Sequence, residues 1–384
     1  MNQTEQVLLQ AIQKSFWNKD ITFPENIDWN AVLKEAEDQT VLGIVISVAP
    51  EEYQKEWRGR VSHITAQFVR ILHYQEQLCK LLKENDIPMV ILKGTAAAIY
   101  YPNPSQRTMG DIDYLVPQLY YNTAKEILVE SQYLLESDSE DARNIHIHKD
   151  NIIFEQHQRF SSEDIRIEEY ITNGLSELVI GKVYGSEFPM LPRLANGLVL
   201  LGHMAQHLKD GLGLRQVIDW MMYVNCELND EFWSKEFEKA AEEVGLKQLA
   251  VITTRMCQMY LGLSEMIQWC KSADAELSTS LMEEFLSSGN FDRKRGINSV
   301  IETVSAGLKR NGFFRQLQIS GERNWKAYHK HKWLKPFAWI YQGCRYVRKG
   351  IKTKQSCAQI KKDIKQGKQR NELYQRLKIG QPYE

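Results

Sequence analysis

The stretch Arg107-Thr108-Met109-Gly110-Asp111-Ile112-Asp113-Tyr114-Leu115-Val116 runs out of a polar loop into a segment that begins by alternating polar and apolar residues. That alternation predicts a β-strand starting at Asp111. Residues two apart in a strand point to the same face, so Asp111 and Asp113 lie side by side. Carboxylates that close repel one another unless a cation neutralises them. Mg²⁺ or Mn²⁺, which take carboxylate and phosphate oxygens, are the natural partners. An Asp-x-Asp pair is also common on solvated strand faces, so the pair gains meaning only from its neighbours.

Upstream, Met89-Val90-Ile91-Leu92 is a short apolar, partly β-branched run and predicts a buried strand. Lys93-Gly94-Thr95 then forms a turn, and residues 96–100 a small-residue helix. Gly94 permits close backbone approach, and a helix start offers unpaired N–H groups to an anion. Many strand-to-helix turns contain glycine, so this feature is weak alone. Pro102 to Ser105 is a loop. Downstream, residues 121–131 read as helix. Three more strands are expected over Asn144 to His148, Ile152 to His157 and Ile165 to Glu169. Glu155 lies at the end of an apolar run in the second of these. A third carboxylate there would complete a two-metal site, which activates an attacking hydroxyl and steadies a leaving phosphate. A surface glutamate on an exposed strand face is the ordinary alternative, and Glu168 and Glu169 are rival third acids.

Taken together, Ile91-Leu92-Lys93-Gly94-Thr95, Tyr101-Pro102 and the block from Arg107 to Val116 resemble a bacterial family of uncharacterised nucleotidyltransferases. The wider superfamily includes DNA polymerase β, tRNA CCA-adding enzymes and aminoglycoside nucleotidyltransferases. That family's acidic-x-His strand motif is matched by Glu155-Gln156-His157. Its His-rich helix and following Leu-Arg-x-x-x-Asp helix are matched by His203 and His207 and by Leu214, Arg215 and Asp219. The superfamily usually has Gly-Ser where this chain has Gly94-Thr95, and Thr keeps the hydroxyl. The resemblance covers roughly residues 60–310.

The resemblance implies an α+β fold with a small mixed sheet of nucleotidyltransferase type and flanking helices. It also implies transfer of a nucleotidyl group from a nucleoside triphosphate to an acceptor it does not identify. Asp111, Asp113 and Glu155 would be the catalytic, metal-holding acids for Mg²⁺ or Mn²⁺. Glu155 would bind a second ion or act as general base. Lys93, Gly94, Thr95 and Arg107 would meet the phosphates. For Lys93 a solvated strand-end lysine is the plain alternative, and for Arg107 an internal salt bridge to Asp111 or Asp113. His157, His203, His207, Arg215 and Asp219 would line the cleft. His203 and His207 are four apart on one helix face. No Glu follows His203 as in a zinc-protease helix, and no third ligand is evident nearby, so a structural or cleft-lining role is expected. Arg215 and Asp219, also four apart, suit an intrahelical pair.

Four segments follow from the texture. Residues 1–86 form an N-terminal helical region that Asn85-Asp86-Ile87-Pro88 ends. Residues 87–190 carry the sheet, 191–310 a helical domain, and 311–384 a basic, aromatic helical tail. With 43% hydrophobic and 25% charged residues, the chain has the composition of an ordinary soluble protein. It has no bilayer-spanning apolar stretch and no export-type start, which favours the cytoplasm. Six cysteines are scattered without a Cys-x-x-Cys pair, against zinc knuckles and disulfide frameworks.

The net charge of −1 conceals an asymmetry, since residues 321–384 carry +13 and the rest −14. Trp333, Phe337, Trp339, Ile340, Tyr346 and Val347 interleave with Lys335, Arg345, Arg348 and Lys349. An anionic membrane surface, another polyanion, or the acidic body itself would each suit such a tail, with packing on the body the plainest. No specific nucleic-acid module is recognisable. Two further classes stand beside the enzyme. One is a non-catalytic nucleotide-binding or scaffold protein that keeps the fold. The other is an RNA-modifying nucleotidyltransferase gripping its substrate with the tail.

Overall fold

The structure, a computed structural model, describes residues 1–136, 144–160, 166–208, 211–290, 318, 321–322, 325, 327–328, 331–352, 369–370 and 372–379. The N-terminal helices are well capped. Asn2 and Glu5 exchange bonds at the start of α1 (Gln3–Trp17), and Asp28 accepts from the Ala31 N–H at the start of α2 (Trp29–Asp38). The long helix α3 (Arg58–Glu84) stops where Asn85 to Pro88 were expected to stop it. Its face of Phe68, Ile71, Leu72, Leu78 and Leu82 is buried.

The strands are β1 (Val90–Ile91), β2 (Asp111–Leu115), β3 (Leu134–Leu135), β4 (Asn144–Lys149), β5 (Ile152–His157), β6 (Val179–Val183) and β7 (Ser186–Met190). They form one mixed sheet in the order β3-β4-β5-β2-β1-β7-β6. Helix α4 (Gly94–Ala98) lies between β1 and β2, and α5 (Tyr121–Glu130) follows β2. β2 runs parallel to β5 and antiparallel to β1, while β1 and β7 are parallel. The pleat sorts the side chains. Ile91, Ile112, Tyr114, Ile152 and Phe154 join α3 and α5 in a core on one face. Val90, Leu92 and Leu115 join the helical body on the other. Asp111, Asp113, Glu155 and His157 have the parity of the second face.

That body contains α6 (Glu168–Gly174), α7 (Arg193–His207), α8 (Leu214–Glu227), α9 (Lys247–Leu261) and α10 (Ala275–Ser288). It also contains α1 and α2, since Val7, Leu8 and Leu33 share one cluster with Trp220, Leu249 and Phe285. Helices α7 and α8 approach closely because position 197 is glycine. A Cβ there would lie 2.3 Å from the Tyr223 ring, which is fully buried.

Two stretches differ from the sequence expectation. Of the strand expected over Ile165 to Glu169, Ile165 lies outside the described residues, and Glu168 and Glu169 begin α6. Acids suit a helix N-terminus, and Ile167 and Ile171, four apart, are both buried at helical spacing. The hairpin of β6 and β7 was not expected. It turns at Tyr184 and Gly185, both at positive φ (49° and 94°), the geometry of a tight hairpin turn. Pro189 within β7 masks the strand pattern.

Among the described residues no helix is long and apolar enough to cross a membrane. Cys79, Cys226, Cys257, Cys270 and Cys344 are free thiols. About half of the tail lies outside the described residues, including Cys357. Helix α11 (Ala338–Lys352) follows a 3₁₀ segment (Lys332–Phe337). Of the aromatic stretch expected to pack on the body, Trp333, Phe337, Trp339 and Ile340 are exposed, and the side chains of Tyr346 and Val347 lie outside the described residues. The tail's far end does dock. Leu373 and Leu377 are buried in the body's core, Arg370 pairs with Glu284, and Arg376 pairs with Asp274.

Candidate active site

Parallel pairing of β2 with β5 sets Asp113 directly opposite Glu155, and Leu115 opposite His157. Asp111 stands two residues before Asp113, and His157 two after Glu155, so all four side chains share a face. Ligating atoms of Asp113, Glu155 and His157 lie within 4.8 Å of one another. The Asp111 carboxylate is outside that tight group, one strand step away, and close enough to repel Asp113.

Asp113 is 5% exposed, and its Oδ1 accepts two bonds, from Lys93 Nζ at 2.6 Å and from His157 Nε2 at 3.0 Å. Burial works to raise the Asp113 pKa. The Lys93 charge and then the His157 hydrogen bond override it and hold the carboxyl well below the usual range. Glu155 moves the other way. Burial raises it, with Asp113 adding to the rise and His157 opposing it. Asn144 on β4 donates to Glu155 Oε1. Asp111 is also raised, by burial first and by Asp113 second. The cluster therefore holds one firmly ionised carboxylate beside two that carry charge reluctantly, a pattern that gathers at functional sites.

Lys93 comes from the turn between β1 and α4. Its backbone sits at φ 49°, ψ −133°, sparsely populated ground for a residue with a Cβ, at a cost of about 1–3 kcal/mol. The Leu92 N–H bonds to the Asp113 carbonyl at 2.9 Å, so the turn starts alongside the acids. The ammonium also stands 5.7 Å from the centre of the Phe160 ring. Burial would lower the Lys93 pKa, but Asp113 and Glu155 reverse that and raise it.

The other expected phosphate contacts are placed differently. Thr95 is buried, and its hydroxyl donates to Gln75 Oε1 on α3 at 2.6 Å. Arg107 gives its hydrogen bonds to neither Asp111 nor Asp113. It forms a two-pronged pair with Asp219, Nε to Oδ1 and Nη2 to Oδ2, each 2.8 Å. Tyr101 donates to the same Asp219 at 2.7 Å. Asp219 thus pairs across to the loop before β2 rather than along α8 with Arg215. Arg215 donates to the Thr108 carbonyl at 3.0 Å and lies near Asp111. Its Nε is buried and has no hydrogen-bond partner among the described residues. His203 and His207 stack edge to face with ring centres 4.5 Å apart. Burial, then the charge of Lys93, holds His203 well below the usual histidine range and therefore neutral. Gln75, Tyr101, Asn144 and Phe160 support the site without having been read as site residues in the sequence. Only Tyr101 carried a signal, as part of the Tyr-Pro motif.

A strand, a glycine turn into a short helix, and paired acids on the next strand of a mixed sheet are the arrangement of a nucleotidyltransferase. Residues 25–262 match the family described as uncharacterised nucleotidyltransferase, and the chain belongs to that family. Among solved structures, the solution structure of the antibiotic-resistance factor ANT(2'')-Ia matches 47% of this chain and 93% of its own. The identity is 10% and the TM-score 0.35. The crystal structure of an antigenic nucleotidyltransferase-like protein from Paracoccidioides brasiliensis matches 50% and 93%, at 11% identity and a TM-score of 0.33. The chain has no match among curated proteins.

Proposed function

We propose that the chain moves a nucleotidyl group from a nucleoside triphosphate to a hydroxyl acceptor in a reaction that needs Mg²⁺ or Mn²⁺. What supports this is the facing of Asp113 and Glu155 on parallel neighbours, with His157 and Asp111 on the same side. Carboxylate oxygens with one imidazole suit a hard divalent cation, and the nitrogen makes Mn²⁺ as good a fit as Mg²⁺. Asp111 and Asp113 would hold the ion, which when bound supplies a Lewis acid for the phosphates.

The chain's own groups divide the remaining work. Glu155, with its raised pKa, takes the proton of the acceptor hydroxyl. The hydroxyl oxygen bonds to the α-phosphorus as the bond to pyrophosphate breaks. The N–H groups at Gly94 and Thr95 and the charges of Lys93 and Arg215 face the phosphates. Neutral His203 borders the acceptor side. Arg107 and Asp219 act through position, fixing the loop before β2 against α8.

Thermal unfolding of the full chain with each nucleoside triphosphate, with and without Mg²⁺, tests binding, because a ligand of the folded state raises the melting temperature. The wild type is expected to shift with a nucleotide and Mg²⁺ together, and Asp111→Asn to lose the shift. Label from α-labelled ATP should then appear on an acceptor. Binding without transfer would favour the non-catalytic nucleotide-binding reading, and no shift with any nucleotide would sink both.

For the tail we infer an anionic membrane surface as the partner. Trp333, Phe337, Trp339 and Ile340 are exposed beside exposed Lys335, Arg345 and Arg348. That pairing of apolar and basic groups is what an interfacial helix needs.

A further inference from the structure

The strongest unexplained feature of the site is how much structure is committed to one ammonium group. Lys93 is the residue before Gly94, and a lysine at the end of a strand would ordinarily extend into water. Here it is 7% exposed. Its backbone is held in a conformation that residues with a Cβ avoid. The Phe160 ring lies 5.7 Å from the ammonium, and Asp113 Oδ1 is 2.6 Å away. Asp113 is also one of the three residues, with Glu155 and His157, whose ligating atoms lie within 4.8 Å of one another. Charge makes the same point. Asp111, Asp113 and Glu155 bring three carboxylates to one face, and the cations near them are Lys93 and, beside Asp111, Arg215 and Arg107, the last already paired with Asp219.

We propose that the Lys93 ammonium is a built-in cation of this site, filling one of the two cation positions between the acids, so that the chain takes one divalent ion where a two-metal site takes two. The inference rests on the metal-dependent reading of the preceding subsection. In a two-metal site the second ion neutralises one side of the carboxylate pair and orients the triphosphate. A fixed ammonium against Asp113 Oδ1 performs the neutralising part without being exchangeable. The remaining ion is left to Asp111 and Asp113. An ammonium supplies a single charge and donates hydrogen bonds but has no coordination position, so it cannot coordinate an acceptor hydroxyl as a second metal ion would. That leaves proton removal to Glu155.

The test counts ions. Mn²⁺ is titrated into the full-length protein with a non-hydrolysable α,β-methylene ATP, and bound Mn²⁺ per chain is read by electron paramagnetic resonance. The expected count is one for wild type, one for Lys93→Arg and two for Lys93→Met, which keeps the chain length of the side chain and removes its charge. In parallel, Mn²⁺ without nucleotide should raise the melting temperature of Lys93→Met more than that of wild type, because the ion replaces the lost ammonium. A wild-type count of two overturns the role of Lys93 and leaves metal-dependent transfer standing. A count of one for both wild type and Lys93→Met overturns it as well. A wild-type count of zero removes the metal-dependent reading and this inference together. Should Lys93→Met fail to fold, wild type and Lys93→Arg still decide, since two ions in either would be incompatible with a built-in cation.

Discussion

Asp111 and Asp113 differ by one strand step and respond to pH in opposite senses. Asp113, held down by Lys93 and His157 against its burial, contributes stability above the unfolded carboxylate range and loses it as pH falls through its own lowered pKa. Asp111, raised by burial and by Asp113, costs stability once pH rises through its folded pKa. Asp111→Asn is therefore expected to match wild type near pH 4, about where an unfolded aspartate titrates. It should become the more stable protein as pH rises above that, in metal-free buffer followed by thermal unfolding. Equal melting temperatures at every pH would show that Asp111 carries no electrostatic load. The Asp-x-Asp spacing and the Lys-Gly-Thr turn were legible in the sequence because strand period and glycine geometry are local. The partners chosen by Thr95 and Arg107 were not. Gln75 is 20 residues from Thr95 and Asp219 is 112 from Arg107, and nothing local encodes either distance.

At the scale of elements, the loop before β2 is fastened to α8 at two points. One is the Arg107–Asp219 pair with Tyr101. The other is the bond from Arg215 to the Thr108 carbonyl. Both Arg107 and Asp219 are almost fully buried, and breaking such a pair leaves one charge without compensation. Arg107→Ala is expected to destabilise the chain by about 3–5 kcal/mol. Arg107→Met combined with Asp219→Leu should recover much of that, by equilibrium denaturation. If the double substitution is as damaging as the single one, the pair is not the fastening. Parallel pairing of β2 with β5 was within reach of the sequence only as two candidate strands. Their register, which puts Glu155 opposite Asp113, is set by tertiary packing. The segment after residue 165 was misread because a few alternating residues fit a strand and a helix turn alike, and Ile167 and Ile171 settle it only once their burial is known.

For the molecule as a whole, the segments read from texture as an N-terminal helical region and a later helical domain share one core. Gln13 donates to the Tyr260 carbonyl, and Trp17 to the Leu261 carbonyl. Amphipathic periodicity announces a helix face but not which distant face will cover it. The tail shows the same limit. Its end is clamped onto α10 by Arg370 and Arg376, while Trp333, Phe337, Trp339 and Ile340 before it are exposed. An amphipathic segment bearing Lys332, Lys335, Arg345, Arg348, Lys349 and Lys352 and no acid between residues 331 and 352 repels its own kind and is drawn to negative surfaces. Each basic residue near an anionic bilayer contributes about 1 kcal/mol, and the indole and phenyl rings add apolar insertion at the interface. The full chain should float with phosphatidylserine-containing vesicles, not with neutral ones, and should be released as salt shortens the screening length to about 3 Å near 1 M. Trp333→Ala with Trp339→Ala should weaken flotation while leaving the nucleotide-dependent thermal shift intact, because both rings are exposed while Asp113 is buried. Retention on RNA with no affinity for vesicles would move the partner to nucleic acid, and indifference to both would overturn the membrane reading.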